Sequence, residues 1–203
     1  MRGDTDMVNR IMNVAENDPM YNKLMSELKD ISDDKLVIVA KSYKNRKDDA
    51  IKPIAVKNGI YFYVAYDLNG QTAYFNGATP EQIYKAKANM MRRVRLGSMM
   101  SLLFSEGETL ENFKFSGDPM NVATLDCKMY GGGLLYCEEF LKEMEKKIGK
   151  YYILPSSIHE LIFVPTDTAV KDDLTYMVKE VNSLEVTDND YLADRAFEEE
   201  EWM

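Results

Sequence analysis

The sequence predicts an α+β fold with a mainly antiparallel sheet (meander) and packed helices, forming one compact domain preceded by N-terminal helices. Four β-prone runs follow one another at residues 36–42, 51–56, 60–66 and 72–75, and Asn-Gly pairs mark two of the turns. Helical patterns precede and follow this section. Hydrophobic residues make up 45% of the 203 residues, which is enough for a substantial buried core.

The chain divides into three predicted parts. Residues 1–31 form a helical segment, read as one interrupted helix or two short ones because Asp18-Pro19 starts a new helical turn. Residues 32–186 form the α+β domain. Residues 187–203 form an acidic C-terminal tail, and we interpret residues 198–201 with Trp202 as a frayed end or a docking peptide.

A long helix is predicted after the meander, beginning at Thr79. Thr79 is a suitable N-cap, Pro80 suits the first helical position, and Gln82 can reach back to complete a capping box. Its apolar stripe continues through residues 99–104 and is rich in methionine. We expect this stripe to fill the core; the alternative is an adaptable binding groove.

The C-terminal half is predicted to contain two more helices and three short strands. The strands are at residues 120–125, 151–154 and 160–164, and the first of the two helices ends at Gly149. The apolar residues of these helices that we expect to face the core are Leu134, Cys137, Leu141, Met144 and Ile148, then Val170, Leu174, Met177, Val178 and Val181.

The acidic excess of the chain is confined to its last quarter. Residues 151–203 hold 13 Asp and Glu against 3 Lys and Arg, whereas residues 1–150 are close to neutral. This uneven distribution of charge can orient a protein partner with a basic surface or a second copy of the chain. Formation of a homo-oligomer is therefore an alternative. The predicted partner-binding residues are Asp188, Asp190, Asp194, Glu198, Glu199, Glu200, Glu201 and Trp202.

The same composition argues against other partners and compartments. A net charge of −9 disfavours direct nucleic-acid binding, except near the basic helix around Lys85 and Arg93. The apolar runs are too short to span a bilayer, so we expect a cytoplasmic protein without membrane association. Cys127 and Cys137 lack CxxC spacing and are expected to be ordinary buried thiols.

His159 and its neighbours are the candidate catalytic residues. His159 is the single histidine of the chain, with Glu160 beside it and Ser156 and Ser157 just before it. A carboxylate could orient the imidazole as a general base, with a serine as nucleophile. However, adjacent strand residues point to opposite faces, and Ser157 with Glu160 equally fits a local capping box, so a structural turn is the favoured interpretation.

Two other motifs suggest chemistry less strongly. Asp118 with Asp126 and Lys128 loosely resembles the acidic core of a metal-dependent nuclease, but the pattern is short and common by chance. The glycines at 131–133 resemble a phosphate cradle but lack the lysine of a P-loop, which favours close backbone packing instead. We therefore predict no metal site and no cofactor.

Four segments carry a resemblance to a known family. They are ILPSSIHE at 153–160, YGGGLLY at 130–136, MVKEVN at 177–182 and NGATPEQIYKAKANM at 76–90. The chain resembles an uncharacterised bacterial family, the domain of unknown function five-six-eight-eight, over roughly residues 60–197, and looks like a shortened or divergent member. The resemblance implies gut bacteria and mobile-element surroundings, and it implies no activity.

Two functions from different classes remain. The first is a non-enzymatic acidic protein-binding module of mobile-element type, for example an inhibitor in which carboxylates replace phosphates in the basic groove of a nucleic-acid-binding host-defence protein. The alternative is a hydrolytic enzyme of unknown substrate that uses His159, Glu160 and Ser156 or Ser157.

Overall fold

The structure, a computed structural model, describes residues 32–46, 51–68, 71–155 and 157–203. The predicted helical segment at 1–31 and the candidate Ser156 lie outside the described residues. Helices and two antiparallel sheets make up the described chain, so the predicted α+β class is confirmed.

The first sheet contains β1 (Leu36–Lys41), β2 (Ala55–Lys57), β3 (Ile60–Leu68) and β4 (Gln71–Tyr74). β3 lies at the centre, with β1 along one edge and with β2 and β4 along the other, all antiparallel. The strand predicted at residues 51–56 is shorter and shifted, because Pro53 has no N–H to donate to a ladder.

Both faces of β3 are covered. Phe62 and Tyr63 point to opposite faces, and both are buried. Phe62 and Tyr63 therefore belong to the core and do not form an exposed pair for stacking nucleic-acid bases, whereas Tyr61 is partly buried beneath Arg46.

The long helix, α1 (Pro80–Arg93), begins with the predicted capping box. The Thr79 hydroxyl accepts the Gln82 N–H at 3.2 Å, and the Gln82 side chain accepts the Thr79 N–H at 2.9 Å. α1 ends earlier than its apolar spacing predicts, because Val94–Ser98 forms strand β5. Pairing with a neighbouring strand and complete burial of Val94 and Leu96 outweigh the helical pattern here.

A short helix, α2 (Met99–Phe104), follows β5 and exposes most of its apolar side chains. Met99, Met100 and Leu103 are exposed, and Phe104 is 82% exposed. The expectation that this stripe fills the core is therefore wrong for α2, whereas Met90 of α1 is fully buried as predicted.

The second sheet has the strand order β5-β6-β8-β7-β9, with all neighbours antiparallel. Its further strands are β6 (Asn121–Leu125), β7 (Tyr151–Leu154), β8 (Leu161–Pro165) and β9 (Phe197–Glu198). Buried residues of both sheets belong to one apolar cluster, and a smaller cluster lies beneath the last helix.

For helices α3 (Glu138–Ile148) and α4 (Lys171–Leu184), the residues predicted to face the core agree with the buried residues to different extents. α3 buries the predicted face, and Gly149 follows it at positive φ. α4 buries Leu174 and Val178 but leaves Val170 and Val181 exposed, which contradicts the prediction for those two residues. Cys137 is buried as predicted, whereas Cys127 is exposed.

The C-terminal segment is part of the fold rather than a frayed end. β9 pairs with β7 at the edge of the second sheet. Trp202 is 1% exposed and packs against Phe62 and Phe197, with ring centroids 6.2 and 5.2 Å away. Apolar side chains spaced along an acidic sequence thus anchor the segment, which charge alone does not reveal.

Candidate ligand-binding site

A cleft of about 380 Å³ opens between the first sheet and the loops that carry the ILPSSIHE and YGGG motifs. We call it the His159 cleft; its polar lining includes Lys41, Arg46, Tyr63, Tyr130, His159 and Asp190. Its volume lies within the range of small-molecule sites. Residues from five separate parts of the chain therefore meet at one concave surface.

The glycine run holds the base of the cleft together by close backbone packing. Gly131 N–H donates to the His159 carbonyl at 2.9 Å, and Gly132 N–H donates to the Ile158 carbonyl at 3.0 Å. A Cβ on Gly131 would lie 2.5 Å from the His159 oxygen, and a Cβ on Gly133 would overlap the Ile38 carbonyl. These two N–H groups are engaged within the protein, which supports close packing over a phosphate cradle.

Tyr130 lies directly before the glycines, in the left-handed region at φ 63°. Its side chain is 3% exposed and lines the His159 cleft. Burial raises the pKa of the Tyr130 hydroxyl, with nearby Asp67 adding to the effect. This hydroxyl is buried and has no hydrogen-bond partner among the described residues.

His159 is oriented by Asp190, not by Glu160. Its Nε2 lies 3.1 Å from Asp190 Oδ1. Asp190 is itself held in place, because its Oδ2 accepts the Thr187 hydroxyl at 2.8 Å and its carbonyl accepts the Ile158 N–H at 2.8 Å. In the neutral imidazole, a carboxylate that accepts from Nε2–H selects the tautomer in which Nδ1 carries the lone pair.

The second ring nitrogen of His159, Nδ1, is the atom of this pair that could exchange a proton. Nδ1 is buried and has no hydrogen-bond partner in the described part of the chain. With Nε2–H donating to Asp190, Nδ1 can accept a proton or a hydrogen bond. The His159–Asp190 pair therefore has the arrangement of a positioned general base.

The other predicted catalytic residues lie elsewhere or have structural roles. Ser157 Oγ accepts the His159 N–H at 3.0 Å, which is a local turn interaction. Glu160 does not line the His159 cleft; it lines a separate groove beside α2. The partner that sequence reasoning missed is Asp190, 31 residues from His159, and no local pattern could have indicated that contact.

The wall of the cleft nearest Asp190 is held by the loop after β1. Asn45 Nδ2 donates to the Tyr191 carbonyl at 2.6 Å, and its Oδ1 accepts the Ser42 N–H at 2.8 Å. The Lys44 ammonium lies 3.8 Å from the centroid of the Tyr191 ring. The segment that carries Asp190 is thus attached to the first sheet, not extended into solvent.

Most of the predicted partner-binding residues interact within the protein. Glu201 pairs with Arg195 at 2.8 Å and with Lys171 at 3.1 Å, and Glu199 is 3% exposed. Intramolecular polar contacts also engage Asp190, Asp194, Glu198 and Glu200. Asp188 is the most exposed of the set, with Lys44 3.7 Å away, and Trp202 is buried. Partner binding by these residues stays a prediction, but this conformation leaves little of Glu199 and Trp202 accessible.

The basic helix and the nuclease-like motif are also engaged internally. Lys85 pairs with Asp33 and Glu81, while Arg93 pairs with Asp67 and Asp126. Among the described residues no group of three or more His, Cys, Asp or Glu side chains is placed to hold a metal ion. No helix in the described ranges is long and apolar enough to cross a membrane.

Comparison with known proteins places the chain in a family. The profile of a family of unknown function, DUF5688, matches residues 63–198, about two thirds of the chain. The matched region includes Tyr130, the three glycines, His159 and Asp190, whereas Lys41 and Arg46 precede it. No curated protein and no solved structure matches the chain significantly. The chain belongs to the DUF5688 family of unknown function.

Proposed function

We propose that the protein binds a small organic ligand in the His159 cleft and that His159, oriented by Asp190, accepts a proton there. The observation that supports this most directly is the buried Nδ1 of His159, which faces no described partner while Nε2 lies 3.1 Å from a carboxylate. A buried polar atom without a partner is rare in folded proteins. A ligand or a bound water that donates to Nδ1 would satisfy it.

The reaction class that this arrangement supports is hydrolysis by an activated water. His159 would take the proton of the water, and Asp190 would stabilise the imidazolium that forms. Ser157 is not placed as the nucleophile, because its Oγ accepts the His159 backbone N–H and neither ring nitrogen of His159 is hydrogen-bonded to it. The hydrolytic alternative thus keeps His159 but replaces Glu160 with Asp190 and the serine with water.

The test uses the fact that the chain has a single histidine, so its imidazole signals in an NMR spectrum need no assignment. A library of small organic fragments is added to the full chain, and shifts of the His159 ring signals are recorded. We expect a subset of fragments to shift these signals in a saturable way, with weaker binding to the Asp190→Asn variant. If no fragment in the library shifts them, the proposal fails.

A second candidate function is the acidic protein-binding module, and the exposed face of α4 favours it. Tyr176 and Leu184 are exposed on this helix, beside the exposed carboxylates of Asp172, Asp173 and Glu180. Exposed apolar side chains among like charges are typical of contact surfaces. The partner would be a protein with a basic surface, and the mobile-element inhibitor is the specific form of this proposal.

Salt dependence and neutralisation test the second candidate. A pull-down with the tagged chain at low salt is compared with one by a variant carrying Asp172→Asn, Asp173→Asn and Glu180→Gln. We expect a stoichiometric partner that is released by salt and lost with the variant. A partner retained equally by both proteins and at both salt levels would contradict an electrostatic interface.

A further inference from the structure

We infer that the exposed apolar face of α2 is a docking surface for the N-terminal segment of the same chain, residues 1–31. The apolar side chains of that segment cover the face. The inference does not depend on the function proposed for the His159 cleft. It follows from the composition of the face, the place where the described chain begins and the sequence pattern of the segment.

The face of α2 is apolar and lies beside a groove of about 660 Å³, which we call the α2 groove. Phe104 is 82% exposed, and Met99, Met100 and Leu103 are exposed as well. Apolar side chains of β6, such as Val122, line the groove too. Four large apolar side chains exposed within six residues form a patch of the kind that marks a contact surface.

The described chain begins beside the α2 groove. Asp34 and Lys35 line a depression together with Arg93 and Asp126. Asp126 also lines the α2 groove, so the two concave surfaces adjoin at this side chain. An extended chain advances by at most about 3.5 Å per residue, so Leu28 can lie as far as about 20 Å from Asp34. The N-terminal segment can therefore reach the α2 groove directly from its point of attachment.

The N-terminal segment has an apolar stripe in its sequence. Tyr21, Leu24, Met25 and Leu28 recur at spacings of three and four residues, which is typical of one face of a helix. An amphipathic helix gains most of its stability by packing its apolar face against another surface. The α2 face is an apolar surface within reach of this stripe.

Attachment to the same chain favours this occupant over a second copy of the protein. A tethered segment has an effective concentration on the order of mM, which exceeds the concentration of a second copy in dilute solution. A symmetric contact between two α2 faces would also bring Glu106 and Glu160, which line the groove, close to the same residues of the other copy. Like charges oppose such a contact.

The rate of methionine oxidation by hydrogen peroxide in the full chain measures whether the face is covered. Met203 is the internal reference, because it is 41% exposed, against 43% for Met99 and 63% for Met100. Mass spectrometry follows sulfoxide formation, and each rate is divided by the rate of the same residue in the urea-unfolded chain. We expect Met99 and Met100 to react about tenfold more slowly than Met203, which corresponds to about 1.4 kcal/mol of docking. If they react as fast as Met203, the face is open and the inference is overturned.

Two pairs of substitutions identify the occupant. Leu24→Asp with Leu28→Asp adds charge to the stripe and should abolish the protection of the two α2 methionines. Asn22→Asp with Ser26→Asp adds the same charge at the same spacing, but off the stripe, and should leave the protection unchanged. Protection that both pairs leave intact, that both abolish equally, or that rises with protein concentration would overturn the inference.

A substitution on α2 tests the same contact from the other side. Phe104→Asp should free the segment and raise the rate of trypsin cleavage after Lys23 and Lys29 about tenfold. Tyr176→Asp is the matched control, because it changes a similarly exposed aromatic residue on α4. The fluorescence of Trp202, the only tryptophan, reports the folding of each variant. If the Phe104→Asp chain is cleaved no faster than the control, the segment does not dock on α2.

Discussion

Replacing Trp202 by alanine is expected to destabilise the fold by about 3–5 kcal/mol, because it truncates a fully buried aromatic side chain. The indole is 1% exposed and has edge-to-face contacts with Phe62 of the first sheet and Phe197 of the second. Lys57 Nζ donates to the Trp202 carbonyl, and Asn58 donates to the Glu201 carbonyl at 2.9 Å. Trp202 thus links the end of the chain to both sheets, and its truncation leaves a cavity between them.

Urea denaturation followed by far-ultraviolet circular dichroism measures this effect, since the variant has no tryptophan to report by fluorescence. Met203→Ala is the matched control: its side chain is the next one along and is 41% exposed, so the change should stay within about 0.5 kcal/mol. A Trp202→Ala variant as stable as Met203→Ala would refute the packing argument. It would also support the interpretation of residues 198–201 with Trp202 as a docking peptide.

Three further changes test the site and its support. The hydrogen bond from Arg195 lowers the pKa of Glu201 from its ordinary value of 4.5 to about 2. The ionised Glu201 therefore contributes its full stabilisation of the fold above pH 4.5, and this stabilisation is lost as the pH falls through about 2. Glu201→Gln should therefore lower the free energy of unfolding by about 1–2 kcal/mol at pH 7 and by only about 0.4 kcal/mol at pH 2, where half of the Glu201 carboxyls are protonated. Urea denaturation across this pH range measures the difference. Gly133→Ala should lower the free energy of unfolding by about 3 kcal/mol or more in the same measurement, because the added Cβ would overlap the backbone of β1. A decrease of less than about 1 kcal/mol would contradict that close approach. Asp190→Asn should decrease the population of the Nε2–H tautomer of the neutral His159 ring. The imidazole ¹⁵N chemical shifts measure this population. If they are the same in the variant, Asp190 does not orient the ring.

Local patterns in the sequence were sufficient for several elements. The capping box at Thr79 and Gln82 is a contact across three residues, and the structure contains it as predicted. The strand Tyr151–Leu154 follows from its aromatic and β-branched residues, and the buried face of α3 follows from the spacing of its apolar residues. Close packing of the glycine run was also indicated, because no phosphate-binding lysine accompanies it. These features depend on neighbours a few residues apart, which the sequence displays directly.

Only the tertiary structure decided the features that depend on distant partners. Val94–Ser98 has helical spacing but becomes a strand, because β6 offers it a ladder and a buried position. His159 finds its carboxylate 31 residues away in Asp190, not in the adjacent Glu160. The acidic C-terminal segment is anchored by Trp202 against rings from both sheets. In each case a long-range contact outweighs the local pattern, because burial and pairing contribute more free energy than propensity or exposed charge.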